Sequence, residues 1–208
     1  GAMPTTAPEY VVFEGPGMDA FAESPEWGGS LVIFPFMYYE TYGDDSLIKK
    51  YYQHMRRYTD YLKTRADNGI LSFGLGDWYD YGDFRAGFSR NTPVPLVATA
   101  HYYMTVMYLI KAARMVGNEF DVRYYSSLAY DIMVAFNKRF LDSNTAQYGT
   151  GSQASNALPI FLQMIQSTGD KGDYTPDASL AAKVFTNLIK DVESHGNRLT
   201  TGDVGNRY

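Results

Sequence analysis

The sequence contains no cysteine, and it has only two tryptophans and three histidines among its 208 residues. The absence of cysteine excludes disulfide bonds and thiolate metal ligands. The histidines His54, His101 and His195 are far apart in the chain and do not have the spacing of a zinc site. We therefore expect no metal site.

Positive charge is also scarce. The formal net charge is −5, and the longest basic clusters are the pairs Lys49-Lys50 and Arg56-Arg57. Binding to nucleic acid needs a positive surface that neutralises phosphates, and so we expect no nucleic-acid partner. No apolar run approaches the roughly 20 residues that span a bilayer, and so we expect no membrane partner either.

The two ends of the sequence are typical of a segment taken from a longer polypeptide. Gly1-Ala2-Met3 resembles the remnant of a cleaved tag, and we assign residues 4–208 to a single helical domain. Residues 199–208 have the composition of a loop that continues elsewhere. We expect the natural polypeptide to extend in both directions.

Tyrosine is the residue present in excess, with 19 Tyr against 12 Phe. Its ring is apolar and its hydroxyl is polar, which suits a surface that contacts polyhydroxylated ligands. Most individual tyrosines are nevertheless expected at the edge of the core. Tyrosine content alone therefore points to sugar binding only weakly.

Hydrophobic periodicity predicts about six helices. In one of them Leu47, Tyr51, Met55, Tyr58 and Leu62 recur three or four residues apart, which places them on one buried stripe. Another predicted helix is apolar almost all round, and we expect it to be buried on more than one side. Only residues 10–13 look extended. The predicted helices cover residues 31–42, 46–67, 96–116, 121–140, 155–165 and 178–194.

The connections between these helices differ in length and composition. The stretches 1–30, 68–94 and 141–154 are long and rich in glycine, proline, aspartate and aromatic residues. Helical hairpins with elaborated loops at one end are typical of an α/α toroid, whose function lies on the long-loop side. An ordinary orthogonal helical bundle has the same periodicity and stays open as the alternative.

Both tryptophans lie in loop-like stretches beside an acidic residue and near glycine. Trp27 follows Glu26, and Trp78 stands between Asp77 and Tyr79. A tryptophan on such a loop is free to present its face to the C–H face of a sugar, while carboxylates hold the hydroxyl groups. We predict these five residues as sugar-binding residues, with Asp77 as a hydroxyl or positioning contact.

Glycoside hydrolysis needs two carboxyl groups on opposite sides of the bond that breaks. The carboxyl groups near the two tryptophans are Glu9, Glu26, Asp77, Asp80 and Asp83. Asp80 and Asp83 lie beside Gly82 and are equally explained as turn formers. The residues alone therefore identify no catalytic pair.

An ordered set of motifs resembles the α-L-rhamnosidases of glycoside hydrolase family 78. The motifs include Ser24-Pro25-Glu26-Trp27-Gly28 and Gly76-Asp77-Trp78, and their order and spacing agree along nearly the whole chain. No single motif is specific, but the ordered set is. The other matching stretches are residues 7–13, 38–44, 92–93, 96–100, 135–137, 140–142 and 199–202.

The resemblance implies an all-α fold, an (α/α)6 barrel of which this chain supplies about half of the helices. It also implies hydrolysis of terminal α-L-rhamnosides with inversion and without a redox cofactor. Trp27 and Trp78 match the aromatic subsite residues of that family, and Asp77 accompanies the second.

In that family the general acid precedes the stretch that corresponds to residues 7–10, and the general base follows the stretch that corresponds to residues 200–202. Neither segment is present in this sequence, and so we expect no catalytic residue here. We expect the isolated segment to be inactive. We also expect it to self-associate, because large exposed apolar patches attract partners.

Two other functions stay open on the residues. One is a different hydrolase of the α/α toroid type, similar to trehalases or glucoamylases, which would prefer glucosides. The other is a helical module that binds glycans or proteins through its tyrosine-rich face, which would bind saturably without turnover.

Overall fold

The computed structural model describes residues 1–9, 11–168 and 174–208, and helices dominate it. The prediction of an all-α fold is confirmed. The helices are α1 (Asp19–Ala22), α2 (Pro25–Gly28), α3 (Ser30–Tyr42), α4 (Ser46–Arg65), α5 (Val94–Met115), α6 (Glu119–Phe140), α7 (Gln153–Phe161) and α8 (Ala178–Ser194).

Two short antiparallel hairpins also occur, and the sequence analysis missed both. They pair β1 (Leu141–Asp142) with β2 (Gln147–Tyr148), and β3 (Gln166–Thr168) with β4 (Tyr174–Pro176). Strands of two or three residues are too short to show the alternation that identifies a strand in a sequence. Of the predicted extended segment, residues 11–13 are irregular and form no strand, and Tyr10 lies outside the described residues.

Side-chain caps determine where the later helices begin. Asn118, Ser152 and Asp177 each accept a hydrogen bond from a backbone N–H in the first turn of α6, α7 and α8. Such caps satisfy amide groups that have no partner within the helix. The bounds predicted for α8 are confirmed, while α6 and α7 begin slightly earlier than predicted because their caps lie further upstream.

Helix α5 is the centre of the molecule. It contacts α3, α4, α6 and α7, and Tyr102, Val106 and Leu109 on it are fully buried. This explains why the sequence of α5 is apolar on nearly all sides. Helices α3, α5 and α7 follow one another in space, and α4, α6 and α8 pack against them.

The predicted stripe on α4 is correct in its second half and wrong in its first turns. Met55, Tyr58 and Leu62 are buried, but Ile48 and Tyr52 are buried where Leu47 and Tyr51 were expected. Tyr52 donates a hydrogen bond to the buried carboxylate of Asp121 on α6. The buried face of α4 therefore includes a polar contact with a distant residue, which apolar periodicity does not detect.

The long loops meet at the end of the molecule where α5 and α7 begin. The hydroxyls of Thr92 and Ser152 lie 2.8 Å apart, immediately before the two helices. The side chain of Gln153 donates to the carbonyl of Arg198 and accepts from the N–H of Thr200, at 3.1 and 2.9 Å. One end of the helical layer therefore carries the elaborated loops, as the sequence predicts.

One buried amide joins α6 to β2 and to the chain that follows α7. Asn137 donates to the carbonyls of Met133 and Met164 at 2.9 and 2.8 Å, and it accepts from the hydroxyl of Tyr148 at 2.6 Å. All three contacts are buried. A buried polar group left without its partner costs about 1–3 kcal/mol.

We therefore expect Asn137→Ala to lower the free energy of unfolding by about 2–3 kcal/mol, since it leaves the Tyr148 hydroxyl and the Met164 carbonyl unsatisfied. Denaturant unfolding measures this value. Asn144→Ala is the control, because Asn144 is exposed and its loss is expected to cost less than about 0.5 kcal/mol. Equal effects of the two substitutions would contradict this role of Asn137.

Candidate functional site

Glu26 and Trp27 lie on a short helix, not on the loop that was predicted. Helix α2 begins at Pro25, whose fixed φ angle favours the first helical position, and it ends at Gly28. The helix leads directly into α3. This places the side chains of Glu26 and Trp27 at the loop end of the helical layer.

Both side chains line a cavity of about 440 Å³, which we call the Trp27 cavity. The start of α3 and His101 of α5 form one side of this cavity. Residues 3–7 and the C-terminal residues 203–208 form the other. The volume falls in the range of sites for small ligands, and aromatic and polar groups are mixed along its walls.

The carboxyl group of Glu26 ties α2 to the loop that carries the second tryptophan. It accepts a hydrogen bond from the N–H of Gly76 at 3.1 Å and another from the hydroxyl of Ser24. That hydroxyl in turn accepts from the N–H of Leu75 at 3.0 Å. A Cβ atom on Gly74 would lie 2.6 Å from this carboxyl group, and the φ of +128° at Gly74 is one that other residues rarely adopt, so glycine is favoured there.

Burial raises the pKa of Glu26 to about 7, although its hydrogen bonds oppose the shift. The carboxyl group itself is buried, while the residue as a whole is half-buried. At neutral pH the group is populated in both its neutral and its charged form. It can therefore donate or accept a hydrogen bond at the wall of the Trp27 cavity.

His101 holds the opposite wall of the cavity. Its Nδ1 lies 2.8 Å from the carbonyl of Val97 and its Nε2 lies 3.1 Å from the hydroxyl of Tyr208. Burial lowers the pKa of His101 to about 4, and so the ring is neutral near pH 7. Nδ1 then donates to the carbonyl, and Nε2 accepts from Tyr208. Sequence reasoning missed this pair, because its members are 107 positions apart.

Asp77 is fully buried and holds the C-terminal segment. Its two carboxylate oxygens accept from the N–H groups of Gly202 and Gly205, at 2.9 and 2.6 Å. Burial raises the pKa of Asp77, and these two hydrogen bonds act in the opposite direction. Because both oxygens are engaged by the backbone, the geometry favours the positioning role over direct contact with a sugar.

Trp78 lies in a cluster of aromatic rings. Its ring meets Phe21, Tyr79 and Phe88 edge to face, with centroids 5.2, 5.0 and 5.4 Å away. Trp78 is half-buried, whereas Tyr79 and Phe88 are exposed. Trp78 does not line the Trp27 cavity. The hydrogen bond from Gly76 to Glu26 connects the segments that carry the two tryptophans.

The other candidate carboxyl groups, those of Glu9, Asp80 and Asp83, lie outside the Trp27 cavity. Asp80 is buried and accepts from the N–H groups of Arg90 and Asn91 at 2.7 and 2.5 Å, ten and eleven positions away, so it joins two parts of the loop and does not form the local turn that was predicted. Glu9 and Asp83 are exposed. Among the described residues, no three acidic or histidine side chains come together in a way that would hold a metal ion, and no described helix is long and apolar enough to cross a membrane.

Glu26 makes folding depend on pH. Its pKa in the folded chain, about 7, lies above the ordinary value of 4.5, so the neutral form is favoured by folding. The stabilisation is complete below pH 4.5 and is lost as the pH rises to about 7. We expect unfolding free energies of the native chain to fall by roughly 3 kcal/mol over this range relative to Glu26→Gln.

Denaturant unfolding across the pH range measures this difference. Glutamine keeps an oxygen that can accept from Gly76, and so the comparison isolates the proton. Glu40→Gln is the matched control, because Glu40 is exposed on α3 and should leave the pH dependence unchanged. Parallel curves for the native chain and Glu26→Gln would show that the carboxyl group is not held in its neutral form.

The chain is similar to known proteins of one family. The bacterial alpha-L-rhamnosidase 6 hairpin glycosidase domain matches residues 1–208. An alpha-L-rhamnosidase of Formosa agariphila is 28% identical over 191 residues, which are 88% of this chain and 19% of that protein. An alpha-L-rhamnosidase of Streptomyces avermitilis is 25% identical over 181 residues, which are 86% of this chain and 15% of that protein.

Solved structures agree with this relation. The alpha-L-rhamnosidase from Dictyoglumus thermophilum superposes with a TM-score of 0.76 at 29% identity, over 89% of this chain and 20% of that one. The Streptomyces avermitilis alpha-L-rhamnosidase complexed with L-rhamnose has the same fold, with a TM-score of 0.72 at 22% identity, over 86% of this chain and 16% of that one.

The chain spans about one fifth of the length of the curated relatives that it matches most fully. The predicted toroid is confirmed in preference to an orthogonal bundle, since the matched domain is a six-hairpin glycosidase domain. The chain belongs to the family of bacterial α-L-rhamnosidase six-hairpin glycosidase domains.

Proposed function

We propose that this chain is part of an inverting α-L-rhamnosidase and supplies aromatic and acidic groups that bind the terminal rhamnose. The observation that carries the proposal is the Trp27 cavity at the loop end, where an aromatic face and a carboxyl group of raised pKa lie side by side. The relatives that are named α-L-rhamnosidases over most of this chain support the choice of sugar.

Within the site, we assign stacking on the sugar to Trp27 and Trp78. A ring of this kind offers a large apolar face, which fits the C–H face of a sugar. Glu26 and Tyr79 would contact hydroxyl groups, the first from the cavity wall and the second from the exposed aromatic cluster. Asp77 would act indirectly, by holding the loop that carries Trp78 against the segment after Thr201.

The general acid and general base are assigned to other segments of the parent enzyme. Inversion needs two carboxyl groups about 6.5–9.5 Å apart, with a water molecule between one of them and the sugar. Glu26 lines the Trp27 cavity, but the family resemblance assigns both catalytic carboxyl groups to other segments, and so we assign Glu26 to binding and not to proton transfer. The isolated chain would then bind rhamnose without cleaving it.

Substitution of the tryptophans in the parent enzyme tests the binding role. We expect Trp27→Ala and Trp78→Ala to lower kcat/KM on an aryl α-L-rhamnoside by at least about tenfold, equivalent to a loss of about 1.4 kcal/mol. Phe120→Ala is the control, because Phe120 is 68% exposed at the start of α6 and contacts neither tryptophan.

The same assay followed by proton NMR tests the stereochemistry. Inversion releases β-L-rhamnose first, and mutarotation then forms the α anomer. Release of the α anomer first would contradict inversion, and unchanged kcat/KM for both tryptophan variants would contradict their placement in the site. Hydrolysis of glucosides in preference to rhamnosides would favour the trehalase-like or glucoamylase-like alternative.

We further propose that the isolated chain associates with a second copy through the exposed face of α3. This helix is apolar around most of its circumference but buries only Val32, Pro35 and Phe36. Phe34 and Tyr42 on it are 61% and 70% exposed. In the parent enzyme the same face would pack against further helical hairpins of the domain. Contiguous exposed apolar surface of this kind drives association.

Light scattering after size exclusion tests the association. We expect the 23.4 kDa chain to show a mass that rises with concentration toward a dimer or higher. Met37→Asp combined with Tyr42→Asp should restore a monomer, because a charge on the face opposes its burial. Phe120→Asp, on a different surface, should leave the mass unchanged. A compact monomer at all concentrations would contradict this proposal.

A further inference from the structure

The main chain of Trp78 is fixed by hydrogen bonds, but the orientation of its ring depends on other side chains. Its N–H donates to the carbonyl of Gly76 and its carbonyl accepts from the N–H of Asp203, at 2.9 and 2.7 Å. These bonds leave the side-chain torsion angles of the tryptophan free to change. A ring that is already oriented binds a ligand more tightly, because ordering a side chain on binding costs free energy.

Three aromatic rings surround the indole of Trp78, and Phe21 differs from the other two. Tyr79 and Phe88 belong to the same loop as Trp78, within which the N–H of Tyr79 donates to the carbonyl of Gly87 at 2.8 Å. Phe21 comes from α1, and its ring stands at 84° to the indole with the centroids 5.2 Å apart. Among the residues that the structure describes, Phe21 is the ring that joins Trp78 to a part of the chain outside its own loop.

Phe21 also contacts the other rings of this cluster. Its centroid lies 5.3 Å from that of Phe88 at a steep angle, and Phe13 stacks on it with centroids 5.4 Å apart. Perpendicular and stacked pairs of this kind favour particular relative orientations, because an aromatic ring has a negative face and a positive edge. Phe21 is half-buried, and so it is held between Phe13 on one side and the Trp78 loop on the other.

The position of Phe21 is tied to α4 through Glu23, which lies immediately after α1. The carboxylate of Glu23 forms an ion pair with the guanidinium group of Arg65 and accepts a hydrogen bond from the hydroxyl of Tyr61. Both partners lie near the end of α4. Helix α1 is therefore attached to the helical layer, and it carries Phe21 against the indole of Trp78.

We propose that Phe21 is a positioning residue, which holds the indole of Trp78 in the orientation that stacks on the sugar. The inference rests on the proposed function, because that function assigns the stacking to Trp78. Phe21 acts through the indole and is assigned no contact with the sugar. The ion pair of Glu23 with Arg65 acts one step further away, because it holds α1 in place.

Order parameters of the two indole N–H groups, measured by NMR on the free 208-residue chain, test the orientation. We expect Phe21→Ala to lower the order parameter of the Trp78 indole to about 0.6 or less, the value of a flexible group, while Trp27 keeps its native value. Phe21→Leu keeps an apolar side chain without the ring and should have the same effect. Phe21→Tyr keeps the ring and should restore a rigid indole. Phe185→Ala, which removes an exposed ring on α8, is the control and should change neither indole.

Titration of the same chains with L-rhamnose connects the orientation of the indole to binding. We expect Phe21→Ala to raise the Kd at least about threefold, because the mobile indole must be ordered when the sugar binds. Phe21→Tyr should keep the native Kd. Arg65→Gln removes the ion pair with Glu23 and should change the order parameter and the Kd in the same direction, by less than Phe21→Ala does. Arg57→Gln, at an exposed position on the same helix, is the matched control and should leave both unchanged.

The outcomes separate this inference from the proposed function. A Trp78 indole that stays rigid in both Phe21→Ala and Phe21→Leu overturns the positioning role and leaves the proposed function standing. A mobile indole with an unchanged Kd overturns the positioning role as well. If L-rhamnose leaves the Trp78 signal of the native chain unchanged, the proposed function is overturned, and with it the role of Phe21 in binding.

Discussion

The loop end depends on one buried carboxylate. Asp77 is fully buried, and it accepts from the N–H groups of Gly202 and Gly205, so a residue of the long 66–93 loop holds the C-terminal segment. Removing one partner of a buried charged hydrogen bond costs more than the bond itself contributes, because the other partner stays desolvated. Glu26 holds the same loop through a second contact, because its carboxyl group accepts a hydrogen bond from the N–H of Gly76.

The hydrogen bonds of Asp77 bring the loop that carries Trp78 and the C-terminal segment into close backbone contact. A Cβ atom on Gly202 would lie 2.2 Å from the carbonyl oxygen of Trp78, so any larger residue would separate the two segments. The N–H of Tyr81 donates to the carbonyl of Thr200 and the N–H of Asp203 donates to the carbonyl of Trp78, so the two segments are joined on both sides of Gly202. One set of buried polar contacts thereby holds together helix α2, the loop that carries Trp78 and the C-terminal segment.

Local sequence patterns predicted much of the fold, but they did not predict the contacts between residues that are distant in the sequence. The helices follow from their apolar periodicity and their caps, as the bounds of α8 show. The adjacency of Glu26 and Trp27 is visible in the sequence itself. The partners of Asp77 lie 125 and 128 positions away, and no local pattern identifies them. The neutral state of His101 likewise comes from burial in the folded chain.

We propose that the loop end of this chain contacts L-rhamnose through its tryptophans. Because the chain has only two tryptophans, nitrogen-correlated NMR resolves one indole signal for Trp27 and one for Trp78. Titration with L-rhamnose should shift both signals saturably, while D-glucose alone shifts neither. If both indole signals stay unchanged with L-rhamnose, or if D-glucose shifts them equally, the account of the rhamnose site is contradicted.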